Sequence, residues 1–259
     1  HSGAVSVLND DQSKFLEFRA PARHGEALIL PTLSEVPQLI ESNLAVLKTH
    51  RSLQSLRASA RSQMIADAVR YTSAYRDVDW FDSEEAKTAP IMMAGHQPAM
   101  FHAGVWFKNF ALAHLAKANG AVAVNLVIDN DVASGCSVRV PSMDETTHRA
   151  VYRSIPYDDA GGGVPYEQTT IDDRGLFDSF DERVGEAVLP LVDDPCVSRL
   201  WVHARRAVER CGVAGCAMAQ ARHGLEGEIG LRTLELPLGV LCKTTAFAEF
   251  LLMILGELP

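Results

Sequence analysis

The feature that most restricts the fold is a pair of almost continuous apolar runs with one helical segment between them. The runs lie at 91–94 and 121–128, and apolar residues recur at helical spacing over 105–119, before a helix C-terminal cap at Gly120. Such runs are typical of parallel strands that are buried on both faces. A helix that connects two parallel strands packs against their sheet, so the pattern predicts a parallel sheet covered by helices.

The rest of the chain extends this alternation of strands and helices. Apolar residues recur at helical spacing over 35–76, which predicts one or two amphipathic helices. The stretches "CSVRVPS" and "HRAVYRSIPY" predict two strands in a hairpin, and "LRTLELPLGVL" predicts a later strand. Residues 178–210 are helical in pattern, with proline breaks. Strands that alternate with helices indicate the α/β class.

We divide the chain into two parts. Residues 1–88 are predicted to form an N-terminal strand and a helical arm packed on the core, with "FLEFRA" and "EALILP" as strand segments. Residues 89–259 are predicted to form the core. The last apolar run, "TAFAEFLLMILGELP", predicts a core-facing helix, because it is too short to cross a bilayer and an acidic residue interrupts it. The core stops just after this run, so we expect it to continue in a longer protein.

The charge of the chain excludes one class of partner. The 259 residues carry a formal net charge of −9, which argues against a protein that binds nucleic acid through a broad basic surface. A local basic pocket for an anionic small-molecule substrate stays compatible with this charge. The chain shows no signal-peptide pattern and no apolar run of membrane-spanning length, so we expect a cytoplasmic protein without a nucleic-acid or membrane partner.

The five cysteines are scattered along the chain, and no two of them have Cys-x-x-Cys spacing. This distribution favours reduced, buried thiols that pack as small apolar residues in a cytoplasmic protein. A redox pair formed by Cys211 and Cys216, which are separated by four residues, is the alternative.

Polar residues collect where the two central strands are predicted to end. In open parallel sheets, ligands bind outside the carboxyl ends of the strands, so neighbouring strands would bring both ends to one crevice. The residues predicted to bind substrate or act in catalysis at these ends are Gly95, His96, Gln97, Asp129, Asn130 and Asp131.

The helix that follows the first strand adds His102, Lys108 and Asn109 to the same junction. The first turn of a helix presents free N–H groups, so this helix start and His102 predict a site for a phosphate or carboxylate, with Lys108 as a further cation. Lys108 and Asn109 are predicted to bind substrate. As a structural alternative, Lys108 is a solvated residue of the helix face.

His96, His102 and Asp131 are the predicted catalytic residues. His96 is suited to act as a general acid or base or to stabilise developing negative charge. Asp129 and Asp131 are candidates for orienting a ribose, an amine, a hydroxyl or a divalent cation. The structural alternatives are a hydrogen-bonding loop histidine at position 96 and a turn cap at Asp131.

Several motifs of nucleotide-binding and nucleophilic enzymes are missing from the sequence. The glycines at 161–163 lack the following lysine and hydroxyl residue of a P-loop, and no G-x-G-x-x-G stretch follows a strand. There is also no G-x-S-x-G nucleophile elbow. A zinc site built from His96 and His102 would need a third ligand that the spacing does not supply, so no metal is predicted.

The stretch "AGHQPAMF" resembles a motif of the bacillithiol-biosynthesis cysteine-adding enzyme family. That family has Gly-Gln-Gln-x-x-Leu-Phe at this place, matched here by Gly95, Gln97 and Phe101, and its next strand ends in Glu-Asp-His-Asp. Three downstream segments are also similar to parts of the family: "SVRVPS", residues 164–167 and "LELPLGVLCKTTAF". The resemblance touches much of 90–250, with strong identity in a few short stretches.

The resemblance implies a Rossmann-like core related to nucleotidylyl transferases and class I aminoacyl-tRNA synthetases, with helical insertions. It also implies a ligase-like addition of an amino acid to a sugar-containing acceptor. Gln97 would line the pocket, and Asp129 and Asp131 would stand where the family has its acids. The sequence departs from the family at His96, which replaces a glutamine, and at Asn130, which interrupts the acidic pattern.

Two further departures concern a lysine and the chain length. The family's lysine falls at Phe110, with Lys108 two places earlier, and family members are considerably longer. The family's particular substrate is therefore not carried over to this chain.

Two functional hypotheses follow. The first is a small-molecule enzyme, ligase-like or transferase-like, on an α/β fold with a Rossmann-like parallel-sheet core, an N-terminal helical arm and a β-hairpin-like insertion. Its cofactor is unknown, with ATP or ADP as candidates. The second is a non-catalytic metabolite- or protein-binding module on a degenerate Rossmann-like fold, which binds through the helices of 35–76. A homo-oligomer is compatible with both.

Overall fold

A computed structural model describes residues 19, 21–23, 25–100 and 102–256. Its strands are Ile91–His96 (β1), Val122–Val127 (β2), Ser137–Met143 (β3), Ala150–Pro156 (β4) and Leu234–Pro237 (β5). Its α-helices are Val36–Thr49 (α1), Gln54–Ser73 (α2), Ala103–Ala118 (α3), Arg174–Asp178 (α4), Phe180–Val188 (α5), Val197–Cys211 (α6), Ala214–Glu228 (α7), Leu238–Leu241 (α8) and Thr245–Gly256 (α9).

The central sheet is parallel and has three strands in the order β1-β2-β5 among the described residues. Ile91 pairs with Val122 at one end, and His96 pairs with Val127 at the other. Val127 in turn pairs with Pro237, the last residue of β5. The predicted α/β class with a parallel sheet is therefore confirmed.

The two faces of β2 pack against different helices, as expected for a strand buried on both sides. Val122 and Val124 belong to an apolar cluster with Leu234, Leu236 and Ala68 of α2. On the opposite face, Ala123 packs with Leu112 and Ala116 of α3. Alternating side chains thus fix α2 on one face of the sheet and α3 on the other.

The antiparallel hairpin of β3 and β4 belongs to a second core. Phe177, Phe180 and Trp201 are fully buried there, and the Trp201 ring centroid lies 4.8 Å from that of Phe177 and 4.3 Å from that of Phe180. The Trp201 indole Nε1 donates a hydrogen bond of 2.6 Å to the Phe177 carbonyl oxygen. Helices α4, α5 and α6 are therefore held together by one aromatic cluster.

Helix α7 lies between these cores and was not predicted from the sequence. Three of its glycines sit where a Cβ would clash: at Gly215 with the Tyr166 carbonyl oxygen at 2.6 Å, at Gly224 with His203 and at Gly227 with Arg76. Glycine lowers helix propensity, and α7 is buried on nearly all sides, so it shows no amphipathic period. The glycines and alanines that leave α7 without an amphipathic pattern in the sequence also allow its neighbours to pack closely against it.

Three sequence predictions about apolar segments are wrong. "EALILP" forms no strand, and β5 is shorter than predicted because α8 begins directly after Pro237. Helix α9 does not face the core, since only Ala246 is buried and Leu252 is 69% exposed. An apolar segment of the sequence does not indicate whether another part of the protein packs against it. The predicted strand "FLEFRA" lies outside the described residues except for Arg19.

Two further expectations concern the burial of the cysteines and the presence of membrane-spanning helices. Only Cys136 is buried, whereas Cys196 and Cys242 are exposed and Cys211 and Cys216 are partly exposed, so the predicted burial of most thiols is wrong. Within the described residues, no helix has both the length and the apolar character that crossing a membrane requires.

Replacing Gly215 with alanine tests the close packing of α7. The new Cβ would lie 2.6 Å from a backbone oxygen, so we expect Gly215→Ala to lower the free energy of unfolding by about 1–3 kcal/mol. The matched control is Gly185→Ala in α5, where a Cβ meets no atom within 4 Å. Its expected effect is neutral or about 0.5–1 kcal/mol stabilising. Urea unfolding followed by circular dichroism measures both, and equal effects would contradict the packing.

Candidate functional site

The carboxyl ends of the three parallel strands are level at one edge of the sheet. His96, Val127 and Pro237 are the last residues of β1, β2 and β5 and pair across the sheet. The backbone N–H of Ile128 also donates to the His96 carbonyl oxygen at 3.0 Å. The segments that follow the strands therefore share this edge, where ligands bind in open parallel sheets.

A group of polar residues at this edge, here called the edge cluster, consists of His96, Gln97, Asp129, Asp131 and Glu167. The Gln97 side-chain amide donates to the Asp131 carboxylate at 2.8 Å and so joins the ends of β1 and β2. The backbone N–H of Val132 donates to the same carboxylate at 2.8 Å. The Gln97 and Val132 hydrogen bonds lower the pKa of Asp131, which is therefore ionised at neutral pH.

Asp129 and Glu167 approach the segment after β5. The backbone N–H of Gly239 donates to the Asp129 carboxylate at 2.8 Å, and the N–H of Glu167 donates to the Asp129 carbonyl oxygen at 2.8 Å. A Cβ at Gly239 would lie 2.6 Å from the Glu167 carboxylate and 3.3 Å from that of Asp129. Glycine at this position therefore lets both carboxylates reach the end of β5.

The other residues predicted at these strand ends have simpler surroundings. The His96 ring is half-buried, with Nδ1 3.3 Å from the Gln97 carbonyl oxygen. Gly95 lies within β1 rather than in the loop, and a Cβ there would lie 3.2 Å from the Leu126 carbonyl oxygen on β2. Asn130 is exposed in the turn between Asp129 and Asp131.

His102, Lys108 and Asn109 bond to groups other than the side chains of the edge cluster. His102 is the N-cap of α3, where its Nδ1 accepts the Gly104 N–H at 3.0 Å. The Lys108 ammonium donates to the Gly95 carbonyl oxygen at 3.2 Å. Asn109 is only 4% exposed and points into the interior. The cap formed by His102 occupies one of the helix N–H groups that were predicted to receive an anion.

A second set of polar residues lies between α7 and the sheet and is here called the buried cluster: Tyr75, Arg222, His223, Glu226 and Glu235. Glu235 is fully buried in β5 and contacts the Arg222 guanidinium. Its carboxyl group also accepts a hydrogen bond from the Asn125 amide at 3.0 Å and lies 3.0 Å from the Tyr75 hydroxyl oxygen. This carboxylate therefore joins β2, β5, α7 and the end of α2.

Glu226 makes the corresponding connection between α7 and α3. One carboxylate oxygen, Oε1, accepts the Trp106 indole N–H at 2.8 Å and the Asn109 amide at 2.6 Å. Oε2 is buried without a hydrogen-bond partner among the described residues. The Arg222 guanidinium lies 3.9 Å from Oε1 and supplies positive charge. Asn109, predicted to bind substrate, thus holds α3 to α7.

The hydrogen-bond distances in the buried cluster indicate which atoms carry protons. The His223 Nε2 lies 3.0 Å from the Thr233 carbonyl oxygen, so we assign a proton to Nε2 and an acceptor role to Nδ1. Burial, followed by nearby Arg76 and Arg222, lowers the pKa of His223 well below its usual value and keeps the ring neutral.

The Tyr75 hydroxyl lies between two acceptors and has one proton to donate. It is 2.6 Å from His223 Nδ1 and 3.0 Å from the Glu235 carboxyl. The neutral His223 ring accepts the Tyr75 proton at Nδ1. A protonated Glu235 carboxyl then donates to the Tyr75 oxygen and satisfies the second contact. Burial raises the pKa of Glu235 to about 7, which agrees with this arrangement.

Two cavities flank the sheet at opposite edges. A cavity of about 210 Å³ near the carboxyl edge is lined by the loop after β1, α3, α6 and α7, and includes Met100, Trp106 and Arg222. A larger cavity of about 640 Å³ lies at the amino ends of the strands and includes Trp80 and Lys117. The smaller cavity is the one that adjoins residues of the loop predicted to bind substrate.

Neither Glu167 nor any residue of the buried cluster was predicted from the sequence to be functional. The sequence does contain an indication of the role of Glu235. An acidic residue inside the apolar stretch "LELPLG" is expected to be buried, and a buried carboxyl group requires hydrogen-bond donors around it. Glu167 lies far from Asp129 in the sequence, which conceals their contact.

Comparisons with known proteins add no family assignment. No protein-family model matches the chain, and no curated protein shows significant similarity to it. In the part of the chain that the structure describes, no three histidine, cysteine, aspartate or glutamate side chains form a group that could hold a metal ion.

The raised pKa of Glu235 predicts a pH dependence of stability. The unfolded chain releases this proton near the usual glutamate pKa, whereas the folded chain retains it until about pH 7. Stability from this group is therefore present at low pH and is lost as the pH rises through the folded pKa. Relative to Glu235→Gln, the wild-type free energy of unfolding should fall by about 1–3 kcal/mol between about pH 5 and about pH 8.

Urea unfolding of both proteins across this pH range measures the difference. His223 titrates in both proteins, so its contribution, which is lost as the pH falls below the usual histidine pKa, largely cancels. Parallel pH profiles for wild type and Glu235→Gln would contradict the assignment.

Proposed function

We propose that the chain is a small-molecule enzyme, ligase-like or transferase-like, that binds an amine-bearing substrate at the edge cluster. The observation that carries the proposal is the position of the Asp129, Asp131 and Glu167 carboxylates at the edge where three parallel strands end level. An ammonium group is the ligand chemistry that carboxylates complement. The His102 cap makes an amine a better match than an anion.

Four residues of the edge cluster have assigned roles in this proposal. Asp131, held ionised by Gln97, binds the substrate ammonium together with Asp129. His96 acts as the general acid or base that moves a proton during group transfer. The cavity of about 210 Å³ takes the apolar part of the substrate against Met100. ATP or ADP remains a candidate cofactor.

The resemblance to the cysteine-adding enzyme family supports the same substrate class, since an amino acid carries an amine. We also propose a Rossmann-like core, supported by the parallel strand–helix–strand unit of β1, α3 and β2. The described strands run β1-β2-β5, without the reversal of strand order that forms the crevice of open Rossmann sheets. A cytoplasmic location and a homo-oligomeric state stay predictions.

A thermal-shift screen tests the substrate class. Ligand that binds the native chain raises its melting temperature by mass action. We expect cysteine to raise it and N-acetylcysteine, whose nitrogen is a neutral amide, to leave it unchanged. ATP, ADP and sugar phosphates complete the screen, and a rise with either nucleotide identifies the cofactor class. Equal shifts with cysteine and N-acetylcysteine would contradict amine recognition.

Two substitutions test the proposed residues. Asp131→Asn keeps the shape of the side chain and removes its charge, so we expect it to abolish the shift with cysteine while the unliganded melting temperature changes by only a few degrees. His96→Ala should retain the shift and lose turnover with the substrates that the screen identifies. The matched control, Glu145→Gln, removes an exposed carboxylate between β3 and β4 and should behave as wild type. An unchanged cysteine shift in Asp131→Asn would exclude this site.

The second candidate function is a non-catalytic module that binds a metabolite or protein. The exposed apolar side chains of α1 and α9, including Val46, Leu252 and Leu255, favour it. It predicts no thermal shift with any ligand of the screen, together with self-association that increases with protein concentration. Size-exclusion chromatography with light scattering measures that association.

A further inference from the structure

Two cysteines flank the turn between α6 and α7. Cys211 is the last residue of α6, and Cys216 lies in the first turn of α7. The connection is only Gly212 and Val213, and Gly212 adopts a left-handed conformation with φ of 64°, which favours glycine. The backbone therefore reverses within two residues and returns Cys216 toward Cys211.

The contacts of the two thiols show that they share one environment. The two side chains interact with each other, and this interaction is the largest contribution to the pKa shift of each thiol. The Cys211 Sγ lies 3.1 Å from the Ala207 carbonyl oxygen. The Cys216 Sγ accepts a hydrogen bond from the Gln220 amide at 3.2 Å and lies 3.9 Å from the Tyr71 hydroxyl. Both residues are partly exposed, so a small oxidant can reach the pair.

The two sulfurs differ in nucleophilicity. The interaction with Cys216, aided by the nearby Arg210 charge, lowers the pKa of Cys211 to about 7. The interaction with Cys211 and burial raise the pKa of Cys216. A thiolate is the reactive form of cysteine, so Cys211 is suited to attack first and Cys216 to complete a bond.

We propose that Cys211 and Cys216 form a reversible disulfide that links the end of α6 to the first turn of α7. With hydrogen peroxide as the oxidant, the Cys211 thiolate attacks one peroxide oxygen and the O–O bond breaks. With one proton taken up, this releases water and leaves a sulfenic acid on Cys211. The Cys216 sulfur then attacks the Cys211 sulfur, and a second water leaves. The two thiols lose two electrons, and a dithiol reductant restores them.

The disulfide would act on the helix that carries the buried cluster. A bond to Cys211 draws the Cys216 sulfur away from Tyr71 and Gln220 and fixes the start of α7. Arg222 and Glu226 follow on the same helix. The cross-link is proposed independently of the substrate at the edge cluster, so failure of either proposal leaves the other unaffected.

Peptide mapping of the full chain tests the bond directly. Trypsin cleaves after Arg210 and Arg222, so both cysteines lie in the single peptide 211–222. We expect peroxide treatment, alkylation and digestion to give this peptide without alkyl groups and lacking two hydrogens. Dithiothreitol before alkylation should restore two alkyl groups. The exposed Cys196 and Cys242 are internal controls, and their peptides should remain alkylated at low peroxide.

Two variants assign the order of attack. In Cys216→Ser, the sulfenic acid on Cys211 has no resolving thiol, so dimedone should label it. In Cys211→Ser, burial still raises the pKa of the thiol at 216, so this thiol should alkylate several-fold more slowly at neutral pH than the thiol at 211 does in wild type. Circular dichroism checks that each variant is folded, and the wild-type map remains decisive if one is not. Two alkylated cysteines in peptide 211–222 after peroxide, or separate sulfonic acids, would overturn the proposal.

Discussion

Two buried carboxylates determine how the helices lie on the sheet. An ionised or protonated carboxyl group in the interior is costly unless donors and acceptors surround it. Glu235 meets this need with Asn125 and Arg222, and Glu226 meets it with Trp106 and Asn109. Their partners lie on β2, α3 and α7, so these contacts restrict how the three elements are arranged. That arrangement sets α3 and the loop before it, and thereby the position of the edge cluster.

The parts of the fold that followed from the sequence are those with a strong local pattern. The run at 121–128 predicts β2 because a strand with apolar residues on both faces is covered by helices on both faces, here α2 and α3. Helix α7 could not be predicted in this way, because glycines and alanines dominate a helix that is buried on nearly all sides. Helix α9 shows the converse case, in which an apolar pattern gives the helix but not its burial. Burial depends on whether another surface is present, which no local pattern encodes.

The candidate site, like the fold, could be predicted from the sequence only in part. The neighbouring strand ends bring Gln97 and Asp131 together, as the rule for parallel sheets implies. Glu167 could not be placed there, because its approach to Asp129 depends on how the chain returns after the hairpin. Asn109 was assigned to the junction by its position in the sequence, yet its side chain turns toward Glu226. The order of the strands therefore predicts which segments come together. The direction in which each side chain points depends on how the helices pack, which the sequence does not show.

The most direct test of amine binding at the edge cluster is a crystal structure of the chain grown with cysteine. The account predicts the cysteine nitrogen within hydrogen-bonding distance of the Asp131 and Asp129 carboxylates, beside the ends of β1 and β2. Cysteine bound in the cavity beside Trp80, at the opposite edge of the sheet, would contradict it.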